Sequence, residues 1–440
     1  MRLFPQEALN PGVRKREVFG WAMYDFANSG YTTVVLTAVF SAYFVGSIAG
    51  GATWATLAWT TTLSAASLLV MLTMPAIGAY ADLRAAKKPL LLASTVGCVA
   101  ATAALGWAGP GDIVFAVVMV MLATMFFNYG ESLVAAFLPE LARPDSLGKV
   151  SGWGWSFGYF GGMLALGLGL AWVLSAQARG EPAEQFVPVT MWITAALFAL
   201  AATFTFALLK ERAQPQPESV AGHGFASSLA RLAQTWREAR RFRDFSWLLV
   251  CAVAYQAGIS VVVVLAAVYA AQVLGFGQAQ TMMLIFLVNI AAVIGAFSWG
   301  YVQDLIGHRA ALAATLVGWI VMTLLAGLAV GATLFWIAAV IAGLCMGSSQ
   351  SAGRALAGLF APAARRAEFY GLWTFALRVS AILGPLTYGV VHFLAGGNHR
   401  VAIVSTGLFF VIGLLLLLPI DVARGAAAAE QANGAAGRGG

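Results

Sequence analysis

Charged residues are scarce in this sequence. Asp, Glu, Lys and Arg make up 10% of its 440 residues, against about 25% in ordinary soluble domains. Hydrophobic residues make up 60%. A soluble fold of this length could not bury so much apolar surface, so the composition predicts a protein that lies in lipid.

The sequence also lacks the motifs of several functional classes. It has no Gly-x-x-x-x-Gly-Lys-Ser/Thr loop to cradle a nucleotide phosphate, which argues against an energised pump. Its four His residues are scattered without metal-ligand spacing, so we expect no metal, no cofactor and no enzyme. The net charge is +7, but the Lys and Arg residues form no basic stripe, so nucleic-acid binding is not expected.

Cysteine is rare as well. Cys98, Cys251 and Cys345 all fall inside apolar segments. We therefore expect small buried hydrophobic side chains rather than a set of disulfides.

Twelve apolar stretches are long enough to cross a bilayer, which takes about 20 residues each. They are predicted near 19–46, 53–80, 89–108, 113–138, 150–176, 188–209, 246–274, 279–303, 310–330, 333–360, 369–395 and 400–420. The sequence thus predicts an all-α integral membrane protein with two six-helix halves, over 19–209 and 246–420. We expect it to be a monomer that contacts membrane lipid.

Positive charge sets the predicted orientation. Of the 25 Lys and Arg residues, Arg354 and Arg378 fall within spans, and only Arg179 and Arg400 fall on the side opposite the N-terminus. Because Lys and Arg concentrate in cytoplasmic loops, we expect both termini to be cytoplasmic and the membrane to be a bacterial inner membrane. The segment 1–18 is then a cytoplasmic N-terminal segment without a signal peptide.

The segments outside the two halves are polar. In the interval 210–245, a Pro- and Gly-containing part precedes a part whose apolar residues share one helical face. The latter is either an amphipathic helix at the membrane surface or a solvated basic linker. The Ala- and Gly-rich tail 421–440 is predicted to be disordered and cytoplasmic.

A motif occurs twice, about half the chain length apart. The first copy runs from Gly78 through Asp82 to Lys88, and the second runs from Gly300 through Asp304. Each copy leaves one apolar stretch, makes a tight charged turn and enters the next. Such a repeat predicts two similar membrane halves around a central path, which is the plan of a transporter.

The doubled Gly-x-x-x-Asp turn and the six-plus-six plan resemble the major facilitator superfamily. The resemblance implies that these turns brace the two halves, with Asp82 pairing with basic residues of its own turn and capping a neighbouring helix. It implies a set of conformational switch residues, namely Gly78, Asp82, Arg84, Lys87, Gly300, Asp304 and Arg309. The first copy departs from the family pattern, because Ala85 stands where Gly is usual, whereas the second copy keeps Gly307.

The stretch from Gly20 to Ser29, Gly-Trp-Ala-Met-Tyr-Asp-Phe-Ala-Asn-Ser, is more specific. It resembles the opening signature of one branch of the superfamily, the vacuolar amino-acid effluxer-like family with its many bacterial members. This resemblance implies a secondary transporter, and it favours the efflux of a small amino-acid-like solute.

Four ionisable residues lie inside predicted spans, where each costs at least about 2.5–3.5 kcal/mol. Asp25 and Glu131 belong to the first half, and Arg354 and Arg378 belong to the second. At about 1.5 Å rise per residue, all four lie roughly 9–12 Å from the cytoplasmic ends of their helices, in one layer.

That layer has three interpretations. The charges pair permanently and offset each other's desolvation; they form a gate that breaks as the halves move apart; or they hold a zwitterionic substrate. The resemblance implies a central cavity lined by the first, fourth, seventh and tenth helices. Polar candidates on those helices for binding substrate or a proton are Tyr24, Asn28, Asn128, Tyr255, Gln256 and Gln350, together with the four charged residues.

The sequence therefore predicts a transporter of a small amino-acid-like solute that works by alternating access. Either carboxylate, Asp25 or Glu131, is a candidate carrier of a coupling proton, because burial and a nearby Arg move a carboxylate's pKa in opposite directions. The alternatives are an exporter of drugs or hydrophobic cations, for which one carboxylate suffices, and a non-transporting receptor on the same fold.

Overall fold

A computed structural model describes residues 4–52, 54–213, 242–276 and 278–436. Within these ranges the chain is almost entirely helical, and its β-type pairing is a single isolated bridge between Leu9 and Ala142. Twelve helices of the described part are long and apolar enough to cross a membrane. The prediction of an all-α protein with twelve spanning helices is confirmed.

Six spanning helices precede residues 214–241: α1 (Lys15–Ile48), α2 (Ala55–Arg84), α3 (Lys87–Ala104), α4 (Ile113–Ala135), α5 (Leu147–Ala178) and α6 (Ala183–Leu208). Six follow: α7 (Arg243–Leu274), α8 (Gln278–Ile306), α9 (His308–Leu328), α10 (Ala332–Leu359), α11 (Arg366–Leu394) and α12 (His399–Leu417). A shorter helix, α13 (Val422–Ala436), comes last. Since an even number of described crossings separates residues 4–14 from α13, both lie on one face, which we call the terminal face.

The two sets of six helices meet along long helix pairs. Helix α2 packs on α11, and α5 packs on α8 and α10. Glycines allow the close approach: a Cβ atom on Gly152 would lie 3.2 Å from the Cα atom of Gly300, and one on Gly371 would lie 2.9 Å from the Cα atom of Pro75. Close backbone contact between membrane helices depends on such small residues.

The N-terminal segment packs on the terminal face. Asn10 donates hydrogen bonds to the carbonyl oxygens of Pro139 and Glu140, both at 3.1 Å. The ring of Phe4 lies 5.1 Å from Trp153 of α5 and 5.9 Å from Phe297 of α8. Phe4 therefore contacts one ring on each side of the boundary between the two sets of helices.

The prediction of a disordered tail is wrong for residues 422–436, which form α13. Arg424 donates to both carboxylate oxygens of Asp244, at 2.7 and 2.8 Å, and the backbone N–H of Ala363 donates to Asn433 at 2.7 Å. Alanine has the highest helix propensity of all residues, and these contacts fix the helix to α7 and to the loop before α11. Composition alone does not reveal such contacts.

The interfacial helix that the sequence offers within 210–245 falls almost entirely on residues 214–241. Those residues lie outside the described part of the chain, as do residues 437–440. The choice between that helix and a solvated linker stays open.

The turn between α2 and α3 holds an alanine in the left-handed region. Ala85 has φ 51° and ψ 46°, and the equivalent turn between α8 and α9 places Gly307 at φ 90°. The departure from the family pattern at Ala85 thus has a conformational cost, which is roughly 1–2 kcal/mol for a residue with a Cβ atom.

We predict that Ala85→Gly stabilises the protein. The relief of the left-handed strain exceeds the extra chain entropy of glycine, about 0.5–1 kcal/mol, and leaves a net gain of about 0.5–1 kcal/mol. The measurement is thermal unfolding in detergent. The control is Ala103→Gly, inside α3, where glycine relieves no strain and should destabilise by about 0.5–1 kcal/mol; a gain at both positions would contradict the explanation.

Candidate transport cavity and gate

Two aspartates cap helices across the boundary between the two sets of six. Asp82, at the end of α2, accepts a hydrogen bond from the backbone N–H of Glu368 in the first turn of α11, at 2.9 Å. Asp304, at the end of α8, accepts from the N–H groups of Gly148 and Lys149 in the first turn of α5, both at 3.1 Å. A carboxylate is favourable there, because the first N–H groups of a helix lack partners and carry partial positive charge.

The other predicted switch residues have different contacts. Lys87 forms a buried ion pair with Glu140 rather than with Asp82, and Arg84 is exposed on its turn. Arg309 donates to the carbonyl oxygen of Leu418 at 2.8 Å and so ties α9 to the end of α12. The expected pairing of Asp82 with the basic residues of its own turn is therefore wrong. Lys87 contacts Glu140 because the chain just after α4, where Glu140 lies, is beside the start of α3.

Glycine is required at the two motif starts. A Cβ atom on Gly78 would lie 3.0 Å from the Cα atom of Glu368, and one on Gly300 would lie 2.9 Å from the carbonyl oxygen of Gly148. Both glycines thus bring the capping helix against the start of the helix that it caps.

Deeper along this boundary, serines join α5 to α10. The Ser151 hydroxyl donates to the carbonyl oxygen of Ser351 at 2.9 Å, and the Ser351 hydroxyl lies 3.4 Å from the carbonyl oxygen of Gly148. Both side chains are fully buried. This seam joins the two sets of helices between the terminal face and the middle of the helices.

Arg354 of α10 completes the seam. Its guanidinium lies 2.7 Å from the Asp25 carboxylate of α1, and it donates to the carbonyl oxygen and the hydroxyl of Ser151, at 2.8 and 3.2 Å. Its central carbon lies 4.8 Å and 5.2 Å from the ring centroids of Trp21 and Trp155. Two of the four charges predicted to share a layer are therefore a buried pair between the two sets of helices.

The other two charges, Glu131 of α4 and Arg378 of α11, line one cavity of about 250 Å³, and Arg354 also borders it from the seam. Among the described residues no ion pair joins them, and the Nε atom of Arg378 is buried without a hydrogen-bond partner. The indole Nε1 atom of Trp155, in the wall of the same cavity, is also buried and unpartnered. The cavity thus contains two buried donors without acceptors, whereas most buried donors in proteins have a hydrogen-bond acceptor.

Two predicted polar residues line this cavity and four do not. Gln256 and Gln350 are in its wall and hydrogen-bond to each other at 2.8 Å. Tyr24 bonds with Thr95 inside the first set of helices, and Asn128 donates to Thr124 of its own helix. Asn28 is buried outside the wall, and Tyr255 packs against Gly353 and Gly413. The expectation that α4, α7 and α10 line the cavity is confirmed, but the expectation for α1 is wrong: the described residues in the wall include none from α1, whereas α5 and α11 both contribute.

Sequence reasoning did not assign Ser151, Gly154 or Trp155 to the site. A Cβ atom on Gly154 would lie 2.6 Å from both the Arg354 guanidinium and the Asp25 carboxylate, so this glycine makes room for the ion pair. The alternating Gly and Trp residues at 152–155 were the available signal.

A second cavity, of about 380 Å³, lies toward the face opposite the termini. Its wall is mostly apolar. The first six helices add hydroxyl groups from Thr32, Thr33 and Thr37 of α1 and from Tyr159 of α5. Helix α1 is π-helical over Tyr31–Ala38, a geometry frequent at functional sites. Val263 and Val264 belong to the walls of both cavities, so the charged cavity and the apolar one are neighbours.

The fold is that of the major facilitator superfamily. The human organic anion transporter MFSD10 superposes with a TM-score of 0.70 at 16% identity, covering 94% of this chain and 100% of that one. FucP of E. coli, in its outward conformation, superposes with a TM-score of 0.69 at 15% identity, covering 92% of this chain and 98% of that one. At these identities the likeness shows the architecture alone.

The sequence relationship defines the class further, as a secondary transporter and not an enzyme. An "uncharacterized MFS-type transporter YxiO" of Bacillus subtilis strain 168 is 25% identical over 402 residues, which cover 90% of this chain and 93% of that protein. The family described as "Vacuole effluxer Atg22 like" matches residues 47–430. The chain belongs to this family, and it is an integral membrane protein.

We predict that Asp82→Ala opens the seam. Loss of the acceptor for the Glu368 N–H costs about 0.5–2 kcal/mol, or about twofold to thirtyfold in the closed-to-open ratio. The measurement is the alkylation rate of Ser351→Cys in the seam, located by mass spectrometry because Cys98, Cys251 and Cys345 are also present but buried.

The matched control for this measurement is Arg84→Ala, which removes an exposed charge from the same turn. Alkylation of the cysteine at 351 should be unchanged in that background. Equal acceleration by both substitutions would mean that the turn's net charge, and not the cap, holds the seam closed.

Proposed function

We propose that the protein exports a small zwitterionic, amino-acid-like solute that binds in the cavity between Glu131 and Arg378. The carrying observation is that a carboxylate and a guanidinium share this cavity without an ion pair between them. A zwitterion provides an ammonium group for the first and a carboxylate for the second, and charge-assisted bonds of this kind are the strong ones.

The unpartnered donors support a carboxylate at the Arg378 end. Arg378 Nε and Trp155 Nε1 both require an acceptor, and one substrate carboxylate has two acceptor oxygens. The mutual bond between Gln256 and Gln350 leaves further amide groups in the wall for the rest of the solute.

In this proposal Asp25 and Arg354 are a gate rather than a binding pair. They come from different sets of six helices, and the seam around them involves both. If the sets rock apart at the terminal face, as alternating access requires, this pair separates. The gate and binding interpretations of the charged layer then both hold, each for a different pair.

Orientation and coupling complete the proposal. The distribution of Lys and Arg favours a cytoplasmic terminal face in a bacterial inner membrane, so the seam faces the cytoplasm and the cavities face outward. Glu131 is the candidate proton carrier: it must be ionised to hold the ammonium group of the solute, so a proton and the solute compete for this carboxylate. We propose that the transporter acts as a monomer.

A second candidate substrate is a hydrophobic cation. The observation that favours it is the apolar 380 Å³ cavity beside the charged one, which has room for a large apolar group. Such a solute would need Glu131 but not Arg378.

The test is a thermal-shift titration of detergent-purified protein with amino acids and with lipophilic cations. We predict that amino acids raise the melting temperature of the wild type, and that Arg378→Gln weakens their apparent affinity at least about tenfold, because a charge-assisted pair contributes about 1.5–3 kcal/mol. Glu131→Gln should weaken it similarly. Counterflow in liposomes then tests transport itself.

The control is Arg143→Gln, which removes an exposed positive charge outside the cavity and should leave the titration unchanged. A shift with lipophilic cations that survives Arg378→Gln would replace the zwitterion with the second candidate. The absence of a shift with either class would contradict the proposal for this cavity.

A further inference from the structure

The guanidinium of Arg354 occupies a socket built entirely by the first six helices. We define this socket as Trp21 and Asp25 of α1 with Ser151 and Trp155 of α5. It provides a carboxylate oxygen at 2.7 Å, a carbonyl oxygen at 2.8 Å and two aromatic rings within 5.2 Å of the guanidinium carbon. Arg354 itself belongs to α10, on the other side of the boundary.

The socket has the chemistry of an organic-cation site. Aromatic faces attract guanidinium and alkylammonium groups through their quadrupoles, and a buried carboxylate adds a charge-assisted hydrogen bond. A carbonyl oxygen accepts from a donor but cannot pair with an anion. Every group in the socket therefore favours positive charge.

Space for the cation depends on Gly154. An added Cβ atom there would lie 2.6 Å from the Arg354 guanidinium, 2.6 Å from the Asp25 carboxylate and 2.7 Å from the Trp21 ring. Elsewhere on α5, Gly167 has nothing within 4 Å of an added Cβ atom. Glycine at 154 thus keeps open a volume that any other residue would fill.

When the terminal face opens, Arg354 moves with the second set of helices and leaves this socket behind. We propose that the vacated socket binds an organic cation, a guanidinium or alkylammonium compound, and that Arg354 is its internal competitor. The socket adjoins the Glu131–Arg378 cavity, whose wall includes Arg354 and Trp155, but its carboxylate is that of Asp25 and not that of Glu131. The inference rests on the proposed alternation between states, but not on the identity of the solute in that cavity.

A consequence is that a bound cation and a closed terminal face exclude each other. A ligand shifts a conformational equilibrium by its differential affinity for the two states. Cations of this class should therefore hold the terminal face open in the wild type, and bind more tightly when Arg354 is removed.

In the first test, ethylguanidinium is titrated into the Arg354→Ala variant and the melting temperature of the protein is measured. We predict a saturable rise in melting temperature, with a half-maximal concentration at least about tenfold lower than in the wild type, whose socket is occupied. The double variant Asp25→Asn/Arg354→Ala should lose this response, and so should Gly154→Ala/Arg354→Ala. Gly167→Ala/Arg354→Ala is the matched control and should retain it.

No response in a folded Arg354→Ala protein would overturn the proposal. So would a response as strong as that of Arg354→Ala in either the wild type or the Asp25→Asn/Arg354→Ala variant. If Arg354→Ala does not fold, the proposal is tested instead in a protein that keeps Arg354. In Ser351→Cys, ethylguanidinium should accelerate alkylation of the seam cysteine, while the uncharged compound ethylurea at the same concentration should not. No difference between the two compounds would overturn the proposal.

The two proposals fail separately. Failure of amino acids to bind the Glu131–Arg378 cavity would defeat the proposed function and leave the ethylguanidinium result unaffected. Failure of ethylguanidinium to fill the socket would defeat the present proposal and leave the amino-acid titration unaffected.

Discussion

The ion pair between Asp25 and Arg354 is the interaction on which the rest of the site depends. An isolated charge in a membrane helix is expensive, and each set of six helices carries charges that its own helices do not neutralise. The acids Asp25 and Glu131 lie in the first set, and Arg354 and Arg378 lie in the second. Each set is therefore the other's source of counterions, and bringing them together lowers a cost that each would bear alone.

The four charges nevertheless have unequal surroundings, and the roles that we propose for them differ accordingly. Asp25 and Arg354 are enclosed by aromatic rings and serine oxygens in the seam. Glu131 and Arg378 border an open volume, which Arg354 also reaches from the seam, and donors in its wall lack acceptors. A pair whose hydrogen bonds are all made is suited to a contact that forms and breaks as a unit. Charged groups that lack partners are suited to binding a ligand. In the proposed mechanism the same residue types therefore serve two purposes.

Much of this arrangement was predictable from sequence, for a physical reason in each case. The twelve spans follow from apolar length, and the charged residues were identified because lipid makes them costly. The direction in which a helix face points was not predictable: Tyr24 and Tyr255 lie on the expected helices but pack among neighbouring helices. Helix rotation is set by packing partners that are distant in sequence. Gly154 was not predicted as a site residue, because it leaves room for the ion pair and makes no polar contact of its own.

The crossed caps have an implication for how the fold arose. Asp82 on α2 caps α11, and Asp304 on α8 caps α5; α8 and α11 are the second-set equivalents of α2 and α5. This is an isologous contact, in which the same patch of each unit meets its own counterpart about a twofold axis. Two identical six-helix chains would form both caps at once. The symmetry of the two caps is thus compatible with an ancestor that was a symmetric dimer of half-length chains.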